Sequence, residues 1–203
     1  MKIFCVGRNY SEHVAELGNS MPESPVIFMK PKSALLNLGF NLLYPSFTNE
    51  LHYEGELVLK IGKNGRYIDA YNALSYITEI SVGIDFTARD VQNYLKEKGL
   101  PWEKAKAFDG SAAVGEFIPF NPNMLDNGIN FSLLLNGQTV QQVNSNKMIN
   151  TIPAIIEDIS QYFSLNIGDL IFTGTPSGVG ECTVTDVFEG YIENKKLLKV
   201  GIK

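Results

Sequence analysis

Short runs of β-branched and aromatic residues punctuate this chain, and helical periodicity interrupts them at only a few places. Strand-like segments are read at Ile3–Val6, Val26–Met29, Glu54–Ile61, Ile80–Asp85, Asn130–Leu135, Thr139–Val143, Leu170–Thr173, Val184–Phe188 and Leu197–Ile202. Asn136-Gly137 between two of them is the dipeptide of a type I′ hairpin turn. Three stretches read as helical. Glu12–Leu17 is a small segment. A second is placed after Thr87-x-x-Asp90, with that pair as cap, Val91, Tyr94 and Leu95 as apolar stripe, and Gly99 as stop. The third follows Thr151, with Pro153 in its first turn and Ile152, Ile155, Ile156, Ile159 and Phe163 on one face. A doubly wound sheet needs a helix between successive parallel strands. The pattern instead predicts a β-rich α+β fold, a mixed roll.

Composition excludes several function classes. The 203 residues suffice for one well-buried core, and without repeat, low-complexity tract or linker they are read as a single domain, 1–203. A net charge of −5 argues against a nucleic-acid partner. No run is long enough to span a membrane, and the opening MKIFCVGRNY lacks the apolar length of a secretory signal. Cys5 and Cys182 form neither a disulfide framework nor a zinc motif. A cytoplasmic location is the expectation.

Four constellations could carry chemistry. In HYEGELVLKI, strand alternation puts Glu54 and Glu56 on one face, about 7 Å apart at Cα. Like charges so placed are destabilising unless a cation bridges them. His52 shares that parity, so a His/Glu/Glu site stays open. Asp85 closes another strand-like run just before a helix. Three carboxylates would make a hard oxygen site suited to Mg²⁺ or Mn²⁺. His13 and Glu16, three apart on a helix, are neighbours, so the carboxylate can orient the imidazole and raise its basicity. They precede Gly18–Pro25, whose Gly, Ser, Asn and Pro content predicts a surface loop, and 11–25 is expected to act as a lid. Finally, Thr173-Gly-Thr-Pro-Ser-Gly-Val-Gly180 lacks the Lys of a phosphate loop, yet it can present backbone N–H groups and a hydroxyl to a carboxylate.

Taken together, GRNYSEHVAE, VIFMKP, HYEGEL, VGIDFTARDVQ, GLPWEKAKAFDG, LLLNGQTVQ and FTGTPSGVG resemble the fumarylacetoacetate hydrolase family, in its order and over nearly the whole chain. The similarity is greatest to its short acylpyruvase and oxaloacetate decarboxylase branch. One departure is SAAVG after the AFDG block, where members often carry a Pro. The resemblance implies a mixed β-roll of the fumarylacetoacetate hydrolase C-terminal domain type, a homodimer, and Mg²⁺ or Mn²⁺ on Glu54, Glu56 and Asp85. It implies a lid-borne dyad of His13 and Glu16, substrate-holding roles for Lys106 and Gln92, and a substrate-contacting hydroxyl on Thr175. Arg89 and Lys30 also occupy family positions, Arg89 among the substrate-binding groups. The activity it implies is metal-dependent C–C cleavage in a small 2-oxo acid, by acylpyruvate hydrolysis, oxaloacetate decarboxylation or both. Isomerisation or hydration of 2-hydroxy-dienoates is the nearest alternative. A non-catalytic metal- or oxoacid-binding protein is another, which the full ligand triad together with His13–Glu16 argues against, because storage needs no general base.

Overall fold

The computed structural model describes residues 1–203 except Leu17 and Asn19, two positions of the expected lid that therefore lie outside the description. The chain opens with β1 (Ile3–Gly7), α1 (Ser11–Glu16), β2 (Val26–Lys30), β3 (Leu35–Leu36), β4 (Leu51–Tyr53) and β5 (Gly55–Ile61). It continues through α2 (Ala70–Ala73), β6 (Ile77–Asp85), β7 (Thr87–Ala88), α3 (Arg89–Glu97), α4 (Glu103–Lys106), β8 (Ala112–Val114) and β9 (Ile118–Pro119). The last third holds β10 (Asn130–Leu135), β11 (Gln138–Asn144), α5 (Ile152–Tyr162), β12 (Leu170–Phe172), β13 (Gly180–Glu181), β14 (Val187–Ile192) and β15 (Lys195–Gly201).

An eight-stranded sheet runs β2-β1-β12-β5-β6-β8-β3, with β9 also on β6. A four-stranded sheet runs β11-β10-β14-β15, and a small one runs β13-β4-β7. The large sheet is mixed: β1 lies parallel to β12 and β3 to β8, while its other pairs are antiparallel. This is the β-rich α+β fold that the strand pattern predicts.

The sheet is covered on both faces, and strand parity decides which face a side chain meets. Leu57, Leu59 and Ile61 of β5 enter the larger core with Ile80, Val82 and Ile84 of β6 and with Leu133, Phe188 and Leu198 of the four-stranded sheet. That close packing needs Gly190, because a Cβ there would stand 2.7 Å from Val82 Cγ1. The opposite face buries Val58 with Ile3, Cys5, Leu170 and Phe172. Residues 54, 56 and 58 share this second parity, so the carboxylates continue an apolar row to its open end.

Helix α5 follows its pattern except at Phe163, which lies past its last residue and is 37% exposed. Thr151 caps it by accepting from Ala154 N, Pro153 stands in the first turn, and four isoleucines at 152, 155, 156 and 159 are buried. Each such burial contributes about 1.5–3 kcal/mol, against about 1 kcal/mol for the cap. The Asn136-Gly137 turn also forms, both residues at positive φ (51° and 82°) as type I′ requires.

Two expectations are corrected. The strand read at Val184–Phe188 begins at Val187 instead. Asp186 accepts from Thr183 N at 2.7 Å and Thr185 turns to φ 86°, so the preceding residues form a turn despite their β propensity. Thr87 does not cap α3. It lies in β7, and Ala88 precedes the helix without a side-chain cap. Asp90 accepts from Thr48 Oγ1 and Asn49 N, which fastens α3 to the preceding loop. The helix turns Arg89, Gln92 and Leu95 inward, Val91 is half-buried and Tyr94 is 57% exposed. The site, not an apolar stripe, sets its orientation.

Candidate metal centre and active site

Register assembles the acidic cluster. Gly55 of β5 pairs with Ile84 of β6, so the next step brings Asp85 N to Glu54 O at 2.9 Å. Glu54, Glu56 and Asp85 are buried, and a carboxylate oxygen from each lies within 4.8 Å of the others. His52, on β4 of the small sheet between Glu181 and Thr87, falls outside this cluster. Burial, aided by the Arg89 charge, lowers its pKa.

Basic side chains hold two of the carboxylates. Lys106 Nζ donates to Glu54 Oε2 at 2.7 Å, Asp85 Oδ2 at 2.9 Å and Thr87 Oγ1 at 2.6 Å. Arg89 donates to Glu54 Oε1 and, at 2.6 Å, to Gln92 Oε1. Buried Lys30 sits 2.8 Å from Asp85 Oδ1, but its hydrogens go to Lys106 O, Ser111 O and Ser111 Oγ. Asp85 Oδ1 thus has an ion-pair neighbour and no hydrogen-bond donor.

The environments split the pKa values of neighbouring carboxylates. Burial would raise Glu54, yet Lys106 and Arg89 outweigh it and hold the carboxyl well below the usual range. Glu56 accepts one backbone N–H, from Gly174 at 2.7 Å. Burial, reinforced by the charges of Asp85 and Glu54, pushes it well above that range. Burial opposes the charge on Lys106, but Asp85 and Glu54 prevail and raise its pKa.

Helix α1 brings His13 to the lining of this cleft. His13 is buried, and its Nδ1 lies 3.1 Å from Glu16 Oε2. Glu16 Oε1 accepts from Gly178 N at 3.0 Å, and Glu12 Oε2 accepts from Ser177 Oγ at 3.2 Å. The Gly-rich turn therefore does serve carboxylates, but those of the protein itself: Glu56 through Gly174 and Glu16 through Gly178. Thr175 Oγ1 donates to Gly55 O and accepts from Gln141 Nε2. Gly174 holds φ 104°, and a Cβ there would come within 2.7 Å of Asn9 Cβ.

One cleft collects His13, Glu54, Glu56, Asp85, Arg89, Gln92, Lys106 and Thr175, with Glu16 behind His13. Sequence reading missed Arg8, Lys96 and Trp102, which also line it, and Ser111 and Gln141 beneath it. Lys96 was legible in principle, standing four positions beyond Gln92 on the inward side of α3. A larger apolar groove elsewhere, lined by Met29, Pro31, Phe47, Val91 and Phe108, contains none of the three carboxylates.

The donor set fits a divalent cation. Three buried carboxylates offer hard oxygens, one oxygen lacks a hydrogen-bond donor, and one acid is raised by burial together with the charges of the other two.

A family model described as fumarylacetoacetate (FAA) hydrolase C-terminal matches residues 2–201. The chain belongs to the fumarylacetoacetate hydrolase family. It is 40% identical to oxaloacetate tautomerase YcgM of Escherichia coli (strain K12), over 97% of this chain and 92% of that relative. With mitochondrial oxaloacetate decarboxylase of Dictyostelium discoideum it shares 41% identity, over 88% and 83%. Fumarylpyruvate hydrolase from Pseudomonas aeruginosa, solved with Mn²⁺ and pyruvate, superposes with a TM-score of 0.93 at 36% identity, covering 100% of this chain and 89% of that one. These relatives are enzymes. The Mn²⁺ of that neighbour and the buried acidic triad together point to a divalent metal here. Among the described residues no helix is long and apolar enough to cross a membrane.

Proposed function

We propose that this chain is an Mg²⁺- or Mn²⁺-dependent enzyme that acts on small 2-oxo acids through an enolate, hydrolysing acylpyruvates to pyruvate and a carboxylate and decarboxylating oxaloacetate. The observation that carries the reading is the buried Glu54–Glu56–Asp85 cluster roofed by the His13–Glu16 pair. A divalent cation on that cluster would supply Lewis acidity to the carboxylate and 2-oxo oxygens of the substrate.

The chain's own groups do the rest. Lys106, held in a fixed position by three acceptors, sets positive charge beside the oxygen that becomes negative when the bond beyond C3 breaks. Arg89 and Gln92, joined to each other, hold the substrate carboxylate, and Thr175, which lines the cleft, contacts the substrate. With Nδ1 donating to Glu16, His13 keeps Nε2 as its basic nitrogen, which takes a proton from the water that attacks the acyl carbonyl. Burial of His13 and docking of α1 exclude other water. Decarboxylation needs no water, so it draws on Lys106 and not on the imidazole.

Oxaloacetate keto–enol exchange is a second reading, favoured by the E. coli relative's name. It passes through the same enolate, with a proton returned to carbon or oxygen. We also infer a homodimer in the cytoplasm, with the 11–25 segment as a lid. Light scattering checks the dimer. NMR of metal-loaded protein with acetylpyruvate, oxaloacetate and a 2-hydroxy-dienoate tests the activity. Pyruvate and acetate, or pyruvate and CO₂, are the expected products. Turnover of the dienoate alone would replace this reading with an isomerase.

A further inference from the structure

Gln141 is a buried amide in a strand that otherwise faces outward. Gln138, Thr139 and Gln142 of the same β11 are exposed. Leu133 of the core stands opposite Gln141, and the β10–β11 ladder shifts register at the next pair, Leu134 with Thr139, which leaves Val140 as the extra residue. A bulge of this kind re-aims the neighbouring side chain. The Gly-rich turn is seated on it, because a Cβ at Gly178 would come within 2.4 Å of Val140 O.

The partners of the amide fix which way it points. Oε1 accepts from Gly55 N at 2.8 Å, while Nε2 donates to Thr175 Oγ1 at 2.8 Å and to Pro176 O at 3.0 Å. A backbone N–H only donates and a carbonyl only accepts, so the amide cannot be flipped. Thr175 must then accept from Gln141, and its own hydrogen goes to Gly55 O at 2.9 Å. The three groups close a ring. Its anchor, Gly55, lies between Glu54 and Glu56. Because Asp85 N bonds Glu54 O, Gly55 opposite Ile84 turns its own N–H and C=O away from β6, and the ring satisfies both. Only glycine leaves room there, since a Cβ would lie 2.9 Å from Gln141 Oε1 and 3.2 Å from Leu133 Cβ.

We propose that Gln141 is a positioning residue of the active site, one that ties the backbone between Glu54 and Glu56 to the Thr175 hydroxyl so that the metal ligands and the substrate-contacting turn hold one geometry. This rests on the reading of the site given above. Gln141 is not among the residues lining the cleft and acts through Gly55 and Thr175. Beyond Pro176 the chain runs straight into Ser177 and Gly178, which bond Glu12 and Glu16, so the same amide also steadies the seat of α1. Without it, Gly55 N loses its side-chain acceptor, and strand and turn can shift against each other, a misplacement that a reacting site tolerates poorly.

The test uses Gln141→Met, Gln141→Glu, Thr175→Val and the double variant Gln141→Met with Thr175→Val. Gln141→Met should weaken Mn²⁺ binding, read by calorimetry without substrate, and should lower kcat/KM on acetylpyruvate at saturating Mn²⁺. Each effect should be about tenfold, the scale of a lost buried hydrogen bond. In the Thr175→Val background, adding Gln141→Met should lower kcat/KM by less than about threefold, because the amide acts through that hydroxyl. Gln141→Glu keeps the shape and an acceptor for Gly55 N but loses the donors. It should bind Mn²⁺ at least as tightly as wild type and lose kcat/KM as Thr175→Val does, a result that stands even if Gln141→Met fails to fold. Fully multiplicative losses in the double variant, or unchanged Mn²⁺ affinity in Gln141→Met, overturn the proposal. If wild type turns over neither acetylpyruvate nor oxaloacetate, the reading of function fails, and the Mn²⁺ affinities alone decide for or against Gln141.

Discussion

Lys106→Met removes one charge from the centre of the site while keeping most of the stem's volume. The residue is 3% exposed and its side chain bonds two carboxylates and Thr87, and Lys30 and Arg89 cannot replace it. Lys30 already faces the other oxygen of Asp85 while donating to three oxygens around Ser111, and Arg89 grips the other oxygen of Glu54, so neither can fill the place of Lys106 between the two acids. Removing one partner from a buried ion network typically costs about 3–5 kcal/mol. For a domain of this size that corresponds to a fall of roughly 6–20 °C in Tm without metal. The assay is thermal and urea unfolding in EDTA, repeated with Mn²⁺. The cation would take over the neutralising role of the lost ammonium, so the variant should gain more stability from Mn²⁺ than wild type does. Metal-free unfolding within about 1 kcal/mol of wild type would refute the claim that Lys106 neutralises Glu54 and Asp85.

Three further outcomes are expected. His13→Ala should slow acylpyruvate hydrolysis by about 10²–10⁴-fold, the usual contribution of a general base, and oxaloacetate decarboxylation far less; equal loss of kcat on both would make His13 a lid residue. The raised pKa of Glu56, caused by burial and by Asp85 and Glu54, means that metal must displace a proton. Affinity for Mn²⁺ should therefore tighten as pH rises above the ordinary glutamate range, with proton release seen by calorimetry in buffers of different ionisation enthalpy. By the same sign, a pKa above the unfolded value makes Glu56 favour the metal-free fold at low pH and oppose it as pH rises. Gly174→Ala forces a Cβ against Asn9 at φ 104° and disturbs the N–H that serves Glu56, so it should destabilise by about 1–3 kcal/mol and weaken metal binding together.

Much of this was readable from the chain because its periodicities are local. Alternation places Glu54 and Glu56 on one face, and the Thr151 cap with its isoleucine stripe defines α5 from the sequence alone. What was not readable depends on distant partners. That Thr87 would serve Lys106 instead of a helix N-terminus requires knowing where α4 lies. The inward turn of Arg89 and Gln92, against the apolar stripe expected on α3, follows from the charge of Glu54, thirty-five residues away. The start of β14 was misplaced because an Asp186 side-chain bond competes with β propensity. The joint approach of Asp85 to Glu54 came from register, which the family resemblance implied and the pattern of one strand could not.

The most direct test of the account is turnover of acetylpyruvate by purified protein stripped with EDTA and then titrated with Mg²⁺ or Mn²⁺, alongside Asp85→Ala. Negligible hydrolysis without metal, restoration by either cation, and none in Asp85→Ala at any metal concentration are predicted. Undiminished hydrolysis in EDTA, or full activity in Asp85→Ala, would contradict it.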